Sequence, residues 1–378
     1  FTDAWEQRKL GDVYTERNKR GNDSLKILSV SIHHGVSNEE LDSNTLGKEV
    51  RRSEDKSLYK HVYLGDLVLN MMRAWQGAVG VVKSEAMVSP AYITAVPSAE
   101  LYPLFMDFYL RRDEAIGQMN NLSYGVTDFR KRLYWDSFVK VLCHIPTVAE
   151  QKKITAFFTH LDETIALHQR KLVLLKQLKQ TYLQVMFAQN GENSPALRLD
   201  GFSEPWGQRK LIEMANFRRG SFPQPYGDKK WYDETNGMPF VQVVDVGNNL
   251  RLVNNTKQKI SKLAQPKSVF VEAGKVVVTL QGSIGRLAVT QYPSYVDRTL
   301  LIFERYKQPI DEYYFAYVIQ QLFEIEKRTA PGGTIKTITK EVLSDFLIHI
   351  PEIDEQQTLG KYFRKLDDTI ALHQQKVT

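Results

Sequence analysis

One segment of this sequence occurs twice, roughly 200 residues apart. Residues 150–172 align without a gap to residues 355–377, and both copies contain the run Ala-Leu-His-Gln. The openings of the two halves also match, because Trp5 and Trp206 are each followed, after one residue, by Gln-Arg-Lys-Leu. Since this period is far longer than that of a solenoid repeat, it predicts two domains and not an array.

The first copy opens a pattern that predicts one long helix from residue 145 to about residue 189. Steps of alternating four and three residues give a coiled-coil seam, apolar except at His168 and Lys179, and roughly 35 helical residues would span about 50 Å. The two histidines occupy equivalent positions, so we expect them to pack and set the register of a helix pair. The predicted seam residues are Ile154, Phe158, Leu161, Ile165, His168, Leu172 and Leu175 in the first helix, and Leu359, Phe363, Leu366, Ile370 and His373 in the second.

Between the shared segments, the two halves differ in sequence but keep one order of predicted elements. Each has a short strand, a second strand that leads into a glycine loop, and an aromatic-rich helical stretch. The strands are predicted at 27–31, 65–70, 240–244 and 274–279, and the helical stretches at 103–119 and 310–327. Each half is therefore a mixed α/β domain that leads into a long helix.

These elements divide the chain into four parts. We expect globular domains at 1–144 and 201–349, a central helix with its linker at 145–200, and a distal helix at 350–378. A linker precedes Phe202 but nothing precedes Phe1, and the distal helix is shorter than the central one. We therefore expect that the native chain is trimmed at its N-terminus and that its second helix is truncated.

Composition bounds the possible functions without selecting one. A net charge of +6 and a pI near 9.0 are compatible with a polyanionic partner, but many proteins without one have similar values. The sequence has no run of 18 apolar residues and no signal-peptide pattern, so we expect a cytoplasmic protein. Its single cysteine, Cys143, excludes an internal disulfide and is expected to be a small buried hydrophobe.

Signals for catalysis are weak. The sequence contains no phosphate loop, no dinucleotide-binding glycine motif, no HExxH and no GxSxG. Residues 89–92 resemble a methyltransferase motif, but Ala91 stands where that motif has its second proline. His33 and His34 are adjacent and would point to opposite faces of a strand, so we expect a solvent-facing pair and no metal site.

Positive charge mixed with aromatic and glycine residues is the most informative pattern. Residues 129–135 and 217–231 have the composition of a surface that binds a nucleic-acid backbone, and the loops near residues 73–76, 124–127, 281–283 and 333–336 could read base edges. The alternative is that they are tight turns with solvated charges. The candidate DNA-contacting residues are Arg73, Gln76, Tyr124, Thr127, Arg130, Lys131, Arg132, Arg218, Arg219, Tyr226, Lys229, Lys230, Gln281, Ser283, Arg286, Thr334 and Lys336.

Three shared motifs resemble the specificity subunits of type I restriction–modification enzymes. They are the doubled Ile-Pro-x-x-x-Glu-Gln run that leads into Leu-Asp-x-Thr-Ile, the Trp-x-Gln-Arg-Lys-Leu opening, and the Gly-Asp-Leu-Val-Leu strand. The resemblance covers essentially the whole chain. It implies two α/β target-recognition domains in pseudo-twofold repeat, separated by two long antiparallel coiled-coil helices.

The resemblance also implies a function. Each domain of a specificity subunit reads one half of a bipartite double-stranded DNA site, while the helices set the spacing and dock two modification (methyltransferase) subunits. Catalysis belongs to those subunits and to restriction/translocase subunits, which would bind S-adenosylmethionine, ATP and Mg²⁺, so this chain would be no enzyme and would bind no cofactor. A bivalent coiled-coil scaffold without DNA binding is the alternative, and a methyltransferase would require a cofactor loop that the sequence lacks.

Overall fold

The structure, a computed structural model, describes residues 4–22, 24–33, 35–37, 58–125, 130–189, 191–329 and 340–376. The chain forms two compact units, Phe1–Thr164 and Ile165–Thr378, and their boundary lies within one long helix, Val148–Val185. Both units mix helices with short strands, as the sequence predicts. The division into four parts stays a prediction.

The described residues of the first unit form short strands and four helices before the long helix. Its described strands are β1 Glu6–Lys9, β2 Tyr14–Glu16, β3 Ile27–Leu28, β4 Val30–Ser31, β5 Gly35–Val36, β6 Lys60–Val62, β7 Leu67–Asn70, β8 Val79–Val81, β9 Ala86–Val88, β10 Tyr92–Pro97 and β11 Leu142–Ile145. Its described helices are α1 Leu10–Val13, α2 Pro103–Tyr109, α3 Asp113–Leu122 and α4 Trp135–Phe138, with a 3₁₀ turn at Ala74–Gln76.

The main sheet of this unit is antiparallel and has the strand order β2-β10-β7-β8. Successive side chains of a strand point to opposite faces. Leu67 and Leu69 therefore pack with the helices in one core, whereas Val68 packs in a second core on the other face. This burial on both faces explains why β7 has no polar alternation.

The second unit repeats this pattern. Its described strands are β12 Gly207–Lys210, β13 Ala215–Arg219, β14 Met238–Val241, β15 Gln258–Ile260, β16 Val269–Val271, β17 Val276–Thr279, β18 Leu287–Val289, β19 Ser294–Val296, β20 Leu300–Tyr306 and β21 Leu347–Ile350. The long helix Val148–Val185 is numbered α5. The described helices of the second unit are α6 Leu211–Met214, α7 Glu312–Thr329, α8 Lys340–Asp345 and α9 Ile353–Gln375, with 3₁₀ turns at Lys229–Trp231, Val243–Asp245 and Gln265–Lys267.

The main sheet of the second unit has the order β13-β20-β17-β18, which corresponds strand for strand to that of the first unit. Val276 and Val278 face the large helical core, and Val277 faces a separate core on the opposite side. In each unit the opening strand also pairs antiparallel with the strand that precedes the long helix, β1 with β11 and β12 with β21. The repeat seen in the sequence is thus a repeat of topology.

A buried glutamine anchors the start of each long helix. The Gln151 amide donates to the carbonyl of Pro146 at 2.8 Å, and its oxygen accepts from the backbone N–H of Tyr102 at 2.7 Å. Gln356 donates to the carbonyl of Pro351 at 2.9 Å and accepts from the N–H of Asp311 at 3.1 Å. The glutamine of the doubled Glu-Gln motif therefore satisfies backbone groups that would otherwise be buried without partners.

Several predicted boundaries differ from the structure. The strand predicted at 240–244 ends at Val241 and is followed by the 3₁₀ turn Val243–Asp245. Ile145 ends strand β11, where it pairs with Glu6, so the central helix Val148–Val185 begins three residues later than predicted and has 38 residues. The helical stretch 103–119 is two helices, because Arg112 is extended with φ −72° and ψ 146°. Asp113 and Glu114 then begin a new helix, whose positive end favours acidic side chains.

The second unit pairs the C-terminal part of the central helix with the distal helix Ile353–Gln375. The rings of His168 and His373 lie 5.3 Å apart, and Lys179 Nζ donates to Asp367 at 2.6 Å. Tyr182 contacts Tyr362 with ring centroids 6.0 Å apart. Because the contacts move up one helix as they move down the other, the two helices run antiparallel.

The other predicted seam residues have varied surroundings. Leu172, Leu175, Leu366 and Ile370 are half-buried, and Leu359 and Phe363 are buried. Ile154 and Phe158 pack within the first unit, Phe158 with its ring 5.5 Å from that of Phe108, while Leu161 and Ile165 are exposed. The apolar period predicts which face of the helix is available for packing but not which partner covers it.

Two further expectations concern the core and membranes. Cys143 is buried in β11, where burial raises the pKa of its thiol to about 11. The thiol is therefore protonated at neutral pH. Within the part of the chain that the structure describes, no helix combines the length and the apolar character needed to cross a membrane.

Candidate nucleic-acid interface

The hairpin between β7 and β8 carries the first candidate loop. Asn70 ends β7, and its side chain accepts a hydrogen bond from the N–H of Met72 at 3.1 Å. The chain then makes the 3₁₀ turn, which Gly77 ends at a φ of 96°, where a side chain would be strained. This turn holds Arg73 exposed and Gln76 half-buried at the end of the sheet.

A second segment of the first unit lies beside this hairpin. The N–H of Leu133 donates to the carbonyl of Met71 at 2.9 Å, so residues 130–134 run along the turn. Lys131 Nζ lies 5.3 Å from the centre of the Trp75 ring and donates to Asn120. The structure thus brings together the predicted loop 73–76 and residues 130–135 of the predicted basic cluster, although about fifty residues separate them in sequence.

Tyr124 completes this surface. Its N–H and carbonyl pair with those of Arg132 at 3.1 and 3.0 Å, and its ring stacks on that of Tyr134 with centroids 4.8 Å apart. Tyr124 is about half exposed, and Arg130 and Arg132 are exposed. Stacked aromatic rings beside exposed cations can contact both bases and phosphates.

In the second unit, Arg218 and Arg219 end strand β13. Both side chains are exposed. Arg218 forms an ion pair with Glu304 at 3.7 Å, and an exposed ion pair of this length contributes little to stability. Gly220 follows because the chain passes over β19, where a Cβ would come within 2.2 Å of the carbonyl of Val296. The arginines are thus carried on a fixed backbone at the edge of the sheet.

A lysine cluster lies near these arginines in sequence. Lys230 Nζ and Lys267 Nζ lie 4.6 and 4.9 Å from the centre of the Trp231 ring, and the ring face favours such cations. Lys230 also pairs with Asp228 at 2.8 Å. Lys229 is exposed beside them.

The loop 281–283 occupies the same place in the second unit as the 73–76 turn does in the first. It joins β17 to β18, as the turn joins β7 to β8, and Gln281 and Ser283 are exposed. Thr279 Oγ1 donates to the carbonyl of Ser283 and accepts from the N–H of Arg286, which fixes the loop. Gly285 has a φ of 83° and lies against Phe323, where a Cβ would come within 2.8 Å.

Two of the predicted DNA-contacting residues form hydrogen bonds within the second unit. The Tyr226 hydroxyl donates to Asp297 at 3.0 Å and accepts from Gln242 at 2.6 Å, so its hydrogen bonds are used within the unit. Burial and the nearby Asp297 raise the pKa of Tyr226. Arg286 is half-buried and donates to the carbonyl of Val246. Both side chains therefore support the loops in this structure, and their predicted contacts with DNA stay predictions.

Residues 203–378 match the family model for the "Type I restriction modification DNA specificity domain". This part of the chain is therefore similar to the specificity domain of type I restriction–modification systems. This agrees with the resemblance of the duplicated motifs.

Individual relatives in this family are distant in sequence. The chain is 21% identical over 234 residues to a curated protein of Methanocaldococcus jannaschii, provisionally named the type I restriction enzyme MjaX specificity subunit. The match includes 60% of this chain and 53% of that protein, so the chain spans about half the length of its curated relative.

Solved structures share the fold over a longer span. The HsdS subunit from Thermoanaerobacter tengcongensis is 20% identical with a TM-score of 0.55, and the match covers 100% of this chain and 93% of that one. The type I restriction–modification S subunit from M. genitalium is 11% identical with a TM-score of 0.56, again over 100% and 93%. At these identities the likeness concerns the fold.

Three exposed cations were missed by the sequence analysis. Arg298 lies with its guanidinium carbon 5.9 Å from the centre of the Tyr226 ring, next to the loop that carries Gln281. In the first unit, Lys19 lies 5.0 Å from the centre of the Tyr63 ring, and Arg20 is exposed beside it. The repeat offset could have indicated Lys19 and Arg20, which follow directly after the positions that match Arg218 and Arg219, but a lone Arg298 gives no signal.

Some predicted residues remain without a structural account. Thr127, Thr334, Lys336 and His34 lie outside the described residues, while His33 is exposed. Among the residues that the structure describes, no three His, Cys, Asp or Glu side chains are grouped so that they could hold a metal ion.

Proposed function

We propose that this chain is the DNA-recognition subunit of a type I restriction–modification complex, and that each unit reads one half of a bipartite site. One observation carries the proposal. The same hairpin of the same four-stranded sheet presents Arg73 and Gln76 in one unit and Gln281 and Ser283 in the other. Equivalent positions with different hydrogen-bonding side chains would read different base edges.

Exposed cations around each hairpin would contact phosphates. Arg132 in the first unit, and Arg218 and Arg219 in the second, project from backbone that is fixed by bridge or sheet hydrogen bonds, and Arg130 is exposed two residues before Arg132. Such contacts position a protein on a duplex without reading its sequence. The hairpin loops would then supply the sequence preference.

The long helices would dock the catalytic subunits and set the spacing. On the central helix, Leu167, Leu174 and Leu178 recur at helical spacing and are exposed, away from the face that carries His168 and Lys179. An exposed apolar stripe of this kind marks a protein-binding surface. We infer that it contacts a methyltransferase subunit, and that S-adenosylmethionine, ATP and Mg²⁺ belong to partner subunits, so that this chain has no catalytic role.

The proposal is tested by binding and by domain exchange. Titration with random-sequence duplex at rising salt should give an affinity that falls steeply, because phosphate contacts release counterions. A bivalent protein scaffold, the alternative function, would show no such binding. Replacing residues 1–144 by the matching domain of a relative should then change one half-site in a selection experiment and leave the other intact. If both half-sites changed together, independent reading would be wrong.

A further inference from the structure

A short turn of the second unit lies against the hairpin loop that joins β17 to β18. It is the 3₁₀ turn Val243–Asp245, which follows strand β14. A Cβ placed on Gly282 of the loop would lie 3.6 Å from Cγ1 of Val243, an ordinary packing distance. Arg286, at the end of the same loop, donates to the carbonyl of Val246, just beyond the turn. The turn and the hairpin loop therefore form one continuous surface.

Buried hydrogen bonds hold the turn in place. The carboxylate of Asp245 is buried and accepts the backbone N–H groups of Gln242 and Lys257, both at 2.8 Å. The Gln242 amide donates to the hydroxyl of Tyr226 at 2.6 Å, and that hydroxyl donates to Asp297 at 3.0 Å. The polar groups beneath the turn are thus paired with one another. The turn therefore presents its exposed side chain on a fixed backbone.

The exposed side chains of this surface differ in chemistry. Val244, in the middle of the turn, is 58% exposed, and Gln281 and Ser283 are exposed on the loop. Arg298 is exposed beside them, because the backbone N–H that precedes Gln281 donates to the carbonyl that follows Arg298, at 2.8 Å. We call these four residues the turn–hairpin surface. An apolar side chain thus lies beside an amide, a hydroxyl and a cation.

These groups match what one kind of base pair presents in the major groove of DNA. Adenine presents N7 and an amino group, with which a glutamine amide forms two hydrogen bonds. Thymine presents a C5-methyl group, which small apolar side chains contact. A single exposed valine is common on protein surfaces and is too small to dock a protein. Beside Gln281 on a fixed surface, however, Val244 supplies the second contact that an A·T pair offers.

We propose that the turn–hairpin surface reads an A·T-containing half-site, with Gln281 bound to an adenine and Val244 in contact with the methyl group of a thymine. This inference rests on the proposed function and adds the bases that the second unit recognises. Cytosine has no methyl group in the groove, so a C·G pair at the thymine position leaves Val244 without its contact. Arg298 binds a phosphate beside the pair and carries no sequence preference.

The charges near this surface favour a duplex as its ligand. The two carboxylates that support it, Asp245 and Asp297, are only 1% and 2% exposed. Their oxygens accept hydrogen bonds from the backbone N–H groups of Gln242 and Thr299 at 2.8 and 2.9 Å. An approaching phosphate would therefore meet the exposed guanidinium of Arg298 and not an exposed carboxylate.

Removal of the thymine methyl group tests the contact directly. Binding sites of the full chain are first selected from random duplex, and the half-site of the second unit is the one that stays when residues 1–144 are exchanged. Each thymine of that half-site is then replaced singly by deoxyuridine, which lacks only the methyl group. We expect one position at which this change weakens binding about fourfold, the effect of one buried methyl group.

Variants of the full chain assign the contact to its residue. In Val244→Ala, duplexes with thymine and with deoxyuridine at that position should bind equally. Val342→Ala makes the same change at an exposed site in helix α8 and should keep the fourfold preference. Gln281→Ala should reduce the preference for adenine at its base pair by about fivefold or more. Fluorescence anisotropy with labelled duplexes gives each affinity.

The possible outcomes separate this inference from the function on which it rests. A chain that binds no duplex would overturn both. Selective binding to a second half-site that has no thymine, or none whose methyl group matters, would overturn this inference alone. A preference for thymine that persists in Val244→Ala would do the same, because the methyl group would then lie against another residue. Equal weakening of both duplexes by Val244→Ala would show that the valine only supports the turn, and would also overturn the inference.

Discussion

The two copies of the tryptophan–glutamate contact allow one residue to be tested against its own repeat. In Glu355→Ala, the guanidinium of Arg198 loses a bidentate partner in a buried setting, and the indole N–H of Trp206 loses its acceptor. The side chains of Arg198 and Glu355 are only 15% and 2% exposed. Removing one partner of a buried ion pair costs about 3–5 kcal/mol, since an uncompensated charge is left behind.

In Glu150→Ala the indole N–H of Trp5 loses its acceptor at a partly exposed surface. Trp5 can donate to water there, so the free energy of unfolding should change by no more than about 1 kcal/mol. For a unit of roughly 200 residues, 1 kcal/mol corresponds to about 2–4 °C in the melting temperature. Differential scanning calorimetry should therefore show a decrease of about 6–20 °C for Glu355→Ala and at most about 4 °C for Glu150→Ala. Equal decreases in the two variants would refute the argument that burial sets the difference.

Three further results are expected. Alanine substitution of each of four exposed arginines, Arg130, Arg132, Arg218 and Arg219, should weaken binding to specific and to random DNA about equally. The slope of affinity against salt should become shallower by roughly one unit per lost contact, and unchanged slopes for all four variants in filter-binding titrations would contradict a role in phosphate binding. Burial lowers the pKa of His373, and the neighbouring Lys171, His168 and Lys376 lower it further. The unfolded chain therefore takes up a proton first, and stability should fall as the pH drops below about 6.5. Urea unfolding at several pH values should show a smaller loss of stability in His373→Leu. Insertion of four residues after Glu163 adds about 6 Å to the helix and turns it by only about 40°. Selection from a DNA library with varied gap lengths should therefore recover both half-sites, with the preferred gap shifted by one or two base pairs. Insertion of two residues turns the helix by about 200° and should abolish specific binding.

The sequence predicted well those features that depend on neighbouring residues or on the repeat. Strand β17 at Val276–Thr279 and the helix Glu312–Thr329 lie within two residues of their predicted bounds, because an apolar run or a helical period is visible locally. The start of the central helix was misplaced because Leu142–Ile145 pairs with Glu6–Lys9, which lies at the other end of the unit. A strand that is formed by a distant partner has little signal of its own.

The candidate site was less predictable, and for the same reason. Tyr226 and Arg286 have the side chains expected of DNA contacts, but their partners Asp297 and Val246 lie 71 and 40 residues away. Nothing in the local sequence shows that these donors are already used. Arg298 was missed because its position beside the Gln281 loop follows from the packing of β20 against β17. Residue type indicates what a side chain can bind, whereas the fold decides whether it is available.

The distribution of identity between the two halves has a physical explanation. Gln151 and Gln356 each bind a proline carbonyl and a backbone N–H of the adjoining domain, and a substitution there would leave buried polar groups unpaired. The hairpin loops have no such constraint, because Arg73 and Gln281 point to solvent while glycines and buried backbone bonds hold the turns. A chain built in this way can change its exposed loops at little cost to stability, since the groups that join each domain to its helix are not the groups that would read DNA. The repeat therefore preserves the attachment of each domain, and the exposed hairpin loops of the two units can diverge independently.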